Sequence, residues 1–148
     1  AHELLMNGMY DAPVDAQGNL LYAMDRTQSI LLASDEAPTL RLACDGVLLG
    51  LQVTDPFGRL QRRTVLKSIL RGLGASSAMG RDTPLDTSHG GAGLGLANLY
   101  TSSAAMTVDV VTDQRTRVGW LYDLQISHRD YRSLPTSLHL YETTPRVP

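Results

Sequence analysis

Three stretches of the chain carry residues suited to chemistry. In "HGGAGLGLANLY", residues 89–100, Gly91, Gly93 and Gly95 alternate with small or apolar residues just before a helical pattern. Glycines permit close backbone approach, and a helix start offers unpaired N–H groups and a positive dipole end to an anion such as phosphate. Glycines in such a run also serve packing or hinges. In "LQVTDPFGRL" an apolar strand delivers Asp55 to a Pro-Phe-Gly turn. A carboxylate there can accept a hydrogen bond from an exocyclic amino group, as an adenine pocket requires, or it can simply initiate a turn or cap a helix. In "HELLMNGMYDAP" Glu3 and Asn7 lie four residues apart and so share a helical face. Asn offers an amide oxygen to Mg²⁺ beside nucleotide phosphates, and Glu a carboxylate able to orient or deprotonate an attacking group. An exposed polar face is the plainer account of that pair.

Other phosphate motifs fail on spacing. A Walker loop needs GxxxxGK followed by Ser or Thr, and residues 74–81 lack both the spacing and the Lys. A dinucleotide fingerprint needs GxGxxG after a strand, whereas this run is GxGxG after a polar stretch, with Asn98 at the place of the last glycine. Zinc of the HExxH kind would require His where Met6 stands.

The elements that must position these residues follow from hydrophobic spacing. Leu4, Leu5, Met6 and Met9 predict a helix over residues 2–10, ended by Pro13 and the Gln17-Gly18-Asn19 turn. "TLRLACDGVLLGLQVT" predicts two strands joined at Asp45-Gly46. Leu60, Val65, Leu66, Ile69, Leu70 and Leu73 predict an amphipathic helix whose basic outer face carries Arg59, Arg62, Arg63, Lys67 and Arg71. Such a face can hold phosphate or a partner, but a solvated surface is the commoner reason for it. Residues 75–90 read as a long polar loop of the kind that forms lids. A helix over "LGLANLYTSSAA", two strands over "MTVDVVTDQRTRVGWLYDLQIS" and a tail with a short helix and one edge segment complete the chain. The expected architecture is a single α/β domain over residues 1–148, a two-layer sandwich whose mixed, mostly antiparallel sheet carries helices on one face.

Composition bounds the function. A chain of 148 residues that is 43% hydrophobic can bury a core without staples. A net charge of −2 and a pI near 6.1 give no footprint for nucleic acid or an anionic membrane. The single cysteine, Cys44, cannot form an intramolecular disulfide and is expected as a small core residue. With no apolar run near the roughly 20 residues of a membrane helix and no signal segment, a cytoplasmic protein is the expectation. The chain begins without Met inside a helical pattern, as a piece of a longer protein would.

Taken in order, the three stretches resemble the N, G1 and G2 boxes of the GHKL ATPases, the superfamily of DNA gyrase, the Hsp90 chaperones, histidine kinases and MutL. Glu3 to Asn7 looks like ExxxN, Asp55 with Gly58 like the G1 box, and the run from Gly91 to Leu96 like GxGLGL. The resemblance implies a Bergerat-type, histidine-kinase-like ATPase domain that binds ATP with Mg²⁺ under a lid at residues 75–90. It implies Asn7 as the metal residue, Asp55 as the reader of the adenine amino group, Gly58 beside it as a nucleotide-binding residue of the G1 box, and Gly91, Gly93, Leu94, Gly95 and Leu96 around the phosphates. Glu3 matches the gyrase-like general base, and Thr116 is a candidate for the threonine that supports the adenine pocket. The G1 match is imperfect: DxGxG is replaced by Asp55-Pro56-Phe57-Gly58-Arg59, with one glycine displaced and one absent. His2 lacks the Arg-Thr-Pro continuation of a phosphoacceptor box, His89 is a lid residue near the G2 glycines, and His128 and His139 take no role.

The implied activity is ATP hydrolysis or phosphoryl transfer to a protein acceptor in bacterial signal transduction, with a protein partner or linked signalling domain. The alternative is a nucleotide-responsive interaction module with little or no turnover. Purely structural roles for the glycines and Asp55 are a third reading.

Overall fold

The computed structural model describes residues 2–15, 17–23, 25, 27–74, 95–131 and 134–145. The expected lid, Gly91, Gly93, Leu94 and His89 lie outside them. A five-stranded mixed sheet with the order β1-β2-β4-β3-β5 organises the chain, giving an α+β fold. β1 (Thr39–Cys44) and β2 (Leu48–Asp55) form the first hairpin. Its turn is set by local chemistry: Asp45 Oδ1 accepts from the amides of Val47 (2.9 Å) and Leu48 (2.7 Å), and Gly46 adopts φ +93°. β3 (Ala105–Val111) and β4 (Arg115–Asp123) form the second, and β4 pairs with β2 at the sheet centre. β5 (Ser137–Thr143), the edge segment expected of the tail, runs parallel to β3.

Period-two alternation sorts the faces. Met106, Val108 and Val110 on β3, Val118 and Trp120 on β4 and Val53 on β2 are buried on one side. The layer opposite them contains α1 (His2–Met6), α2 (Arg62–Gly72) and α3 (Gly95–Thr101). Val65 and Ile69, one turn apart on α2, enter the core with Leu96 and Leu99 of α3. The helices pack tightly enough that a Cβ on Gly72 would overlap Ala97. The other sheet face carries polar groups, among them Asp109, whose Oδ2 meets Arg115 at 3.0 Å and Arg117 at 3.8 Å. A short α4 (His128–Tyr131) precedes β5.

Two expectations need correction. Cys44 is exposed, not in the core. It ends β1, an edge strand exposed along its whole length, where Leu40 and Leu42 point to the helical side yet remain 42% and 66% exposed. Alternation identifies a face; only the breadth of the helical layer decides how much of that face is covered. The opening helix also changes type: α1 passes at once into a π-helical turn, Asn7–Asp11, closed by Ala12 N–H to Asn7 O at 3.1 Å. Gly8 lies in this turn, and a Cβ there would come within 3.1 Å of Pro38 Cβ and 3.6 Å of Asp55 Cβ. The wider turn brings bare backbone against the end of β2.

Candidate functional site

The helical layer parts from the sheet at one end, and the gap is a cleft of about 1130 Å³. That is slightly above the upper end of cavities that hold a drug-sized ligand. Its floor is the end of the sheet, with Val53, Asp55, Val110, Thr116 and Val118; its walls include Asn7 and Gly8, the Gly58–Arg59 turn, the first two turns of α2, and Gly95 with Leu96. The chain thus brings residues 7, 55, 58, 95, 96 and 116 to one cleft. Glu3 belongs to α1 just before Asn7.

Asp55 is the last residue of β2 and stands directly opposite Thr116 of β4 in the ladder. Its Oδ1 accepts from the amides of Phe57 (3.0 Å) and Gly58 (3.4 Å), so the Asp-Pro turn is made as its sequence suggests. It caps no helix, since the N-cap of α2 is Gln61. Burial raises the Asp55 carboxyl pKa, against the Phe57 and Gly58 amides and the nearby Thr116, which lower it. Thr116 is 3% exposed, and its hydroxyl bears on the Asp55 carboxylate without making a well-formed hydrogen bond to any described residue. A half-buried carboxylate beside a buried hydroxyl that reaches it only poorly is incompletely paired in an isolated fold, and a ligand with one donor and one acceptor can satisfy both.

Gly58 gives the Asp-Pro-Phe-Gly turn its shape for a physical reason. At φ +66° it sits against the β3–β4 turn, where a Cβ would run into the carbonyl of Val111 and the amides of Gln114 and Arg115. Its carbonyl accepts from Asp113 N at 3.4 Å. The next residue, Arg59, ion-pairs with Asp113 through Nη1 and donates from Nη2 to Gly18 O at 3.3 Å. One glycine is therefore enough to hold this turn onto the floor.

No family model, curated protein or solved structure matches the chain. The functional reading rests on the cleft itself.

Sequence spacing points to residues that line the sheet end of the cleft and favours an outer, solvated position for others that line its rim. Arg62 and Arg63, read as part of a solvated outer face, line the cleft together with Gln61, Thr64 and Ser68. The signal was present: a helix whose first two residues are arginines, where acidic residues are the favoured type. Asn7 lines the cleft and interacts with its surroundings within the fold. Among the described residues no group of three or more His, Cys, Asp or Glu is placed to hold a metal ion, and no helix is long and apolar enough to cross a membrane.

Proposed function

We propose that the chain is an ATP-binding domain of the GHKL type. The observation that carries this reading is the convergence of Asn7, Asp55, Gly58, Gly95, Leu96 and Thr116, from the two ends and the middle of the sequence, on one cleft. In the proposed complex the adenine amino group donates to the Asp55 carboxylate and a ring nitrogen accepts from Thr116, which satisfies the groups the fold leaves desolvated. Guanine presents a carbonyl where adenine presents its amino group, so the same floor rejects it.

The residues present fit a Mg²⁺ ion that is bound mainly by phosphate and water. Such an ion needs only one or two protein oxygens, and the Asn7 amide supplies one. When bound, the ion neutralises charge that builds up on the transferring phosphoryl group. The chain's own contribution is to fix the base, exclude water from the floor and present backbone donors where α3 begins. Glu3 is proposed as the polarising carboxylate, with water or a protein side chain as acceptor in signal transduction.

Calorimetric titration with a nonhydrolysable ATP analogue and Mg²⁺, run beside GTP and the Asp55→Asn variant, tests the assignment. Adenine-selective binding that the variant abolishes is the expected result. Equal binding of ATP and GTP, or full binding by the variant, sinks it. The catalytic part has its own test: Glu3→Gln should stop phosphate release while sparing nucleotide binding, and unchanged release removes Glu3 from the chemistry.

A further inference from the structure

We infer that the first turn of α2, with the guanidinium groups of Arg62 and Arg63, is the anion-binding mouth of the cleft and takes the phosphate chain of the nucleotide. This rests on the adenine-nucleotide reading of the floor and adds to it the residues that distinguish a nucleotide from a nucleoside. Arg62 and Arg63 are exposed and line the cleft. Neither makes an ion pair or hydrogen bond among the described residues, whereas the neighbouring Arg59 is committed to Asp113 and Gly18. The backbone agrees. Gln61 gives the helix no side-chain cap, and its carbonyl draws in the amides of Thr64 (2.9 Å) and Val65 (3.2 Å). The amides of Arg62 and Arg63 are left without a backbone partner among the described residues.

The arrangement is unfavourable without a ligand. Two cations occupy the positive end of a helix dipole, with no acidic residue in the first turn to offset them. An anion reverses the sign of both terms, since it pairs with the arginines and with the dipole at once. A phosphate chain suits the geometry better than a lone carboxylate, because each planar guanidinium can grip two oxygens and two forks that diverge by about 100° from neighbouring helix positions need the spread oxygens of an extended anion. The buried Thr116 hydroxyl on the floor of the same cleft, which makes no well-formed hydrogen bond among the described residues and only bears on Asp55, is an independent sign that a ligand belongs there. Glu142 is a countervailing group: it lines the cleft and, with Arg62, an adjoining hollow of about 450 Å³. Asp113 is neutralised by Arg59, and Asp11 has its own interaction.

The test compares adenosine, ADP and the nonhydrolysable triphosphate by calorimetry, on the wild type and on Arg62→Gln/Arg63→Gln. The wild type should bind the triphosphate at least about tenfold more tightly than adenosine, as charge-assisted contacts allow. That preference should shrink with added salt. The double variant should lose most of it, bind adenosine as before, and melt at the same or a higher temperature because the helix start is relieved of like charge. Glu142→Gln should strengthen triphosphate binding. A double variant that keeps the preference overturns the arginine mouth, and unchanged adenosine binding in that experiment leaves the floor assignment standing. A wild type that binds adenosine and triphosphate equally also overturns it. A wild type that binds none of the three overturns mouth and floor together.

Discussion

The two ends of the cleft are built on opposite principles. The floor is made of strand residues, Asp55 and Thr116 above all, held by the β2–β4 ladder, with Thr116 buried and Asp55 partly desolvated. The mouth is made of exposed cations at the start of a helix. Desolvated polar groups discriminate sharply, because a mismatched ligand leaves them unpaired, while exposed charges attract broadly and yield to salt. On the proposed reading, identity is read at the floor and affinity is gathered at the mouth. The largest expected effect comes from the residue that joins them. Gly58→Val forces a β-branched residue into φ +66° and drives its Cβ into the Val111 carbonyl, so a loss of about 3 kcal/mol is expected, read as a fall in the urea midpoint. Gly46→Ala is the control: φ is +93° but nothing lies within 4 Å of its Cβ, so only the backbone strain of about 1 kcal/mol should appear. Equal losses at the two sites would show that the close approach to the β3–β4 turn is unimportant.

Asp55→Asn separates binding from stability. The folded-state pKa of Asp55 is raised above its ordinary 3.8 by burial. The native state therefore holds its proton more tightly than the unfolded chain, and the contribution of this group falls as pH rises from the unfolded value through the folded one. Above that window the burial penalty is fully present. The variant lacks it, so its stability relative to the wild type should rise with pH across the acid range and level off toward neutrality. Denaturant titrations at several pH values measure this difference. A flat difference would mean that Asp55 is not desolvated, and the contrast between floor and mouth would lose its basis.

Much of this was legible in the residues. The Asp45-Gly46 hairpin, the α2 stripe and the paired strands around residue 113 follow from turn chemistry and periodicity, because those interactions are local. Asp55 and the Gly95–Leu96 helix start were visible as motifs. What periodicity does not carry is coverage and rotation. Cys44 and Leu42 share an alternating pattern with buried strands, yet the helical layer stops short of β1. Arg62 and Arg63 have the composition of a solvent face, yet where α2 sits over the sheet turns them to the cleft. The π turn at Asn7–Asp11 depends on Gly8 meeting Pro38 and Asp55, partners about 30 and 47 positions away in sequence.

Thr116→Val sharpens the floor without touching its shape. The hydroxyl is buried and makes no well-formed hydrogen bond, bearing only on Asp55, so the isosteric methyl should move the stability of the free protein by no more than about 1 kcal/mol. Adenosine binding should weaken by about tenfold if the hydroxyl donates to the base. Greater stability with undiminished binding would reduce Thr116 to a packing residue and leave Asp55 as the only polar reader of the base on the floor.

The smallest effect is expected at Arg59, which sits between the two regimes. Its pair with Asp113 is formed by side chains 35% and 66% exposed. Such a pair is worth about 0.5 kcal/mol once solvent screening is counted, so Arg59→Gln should barely move the denaturation midpoint, and the small shift should vanish in high salt. Its consequence for binding separates the two ends of the cleft. If Arg59 only pins the β3–β4 turn, adenosine and triphosphate should weaken together and slightly, because the turn supports the floor. If it instead leaves Asp113 to join Arg62 and Arg63, the triphosphate alone should weaken, and the mouth would consist of three arginines rather than two. The ratio of the two affinities in Arg59→Gln, measured at low and high salt, decides between a structural clamp and a third cationic contact.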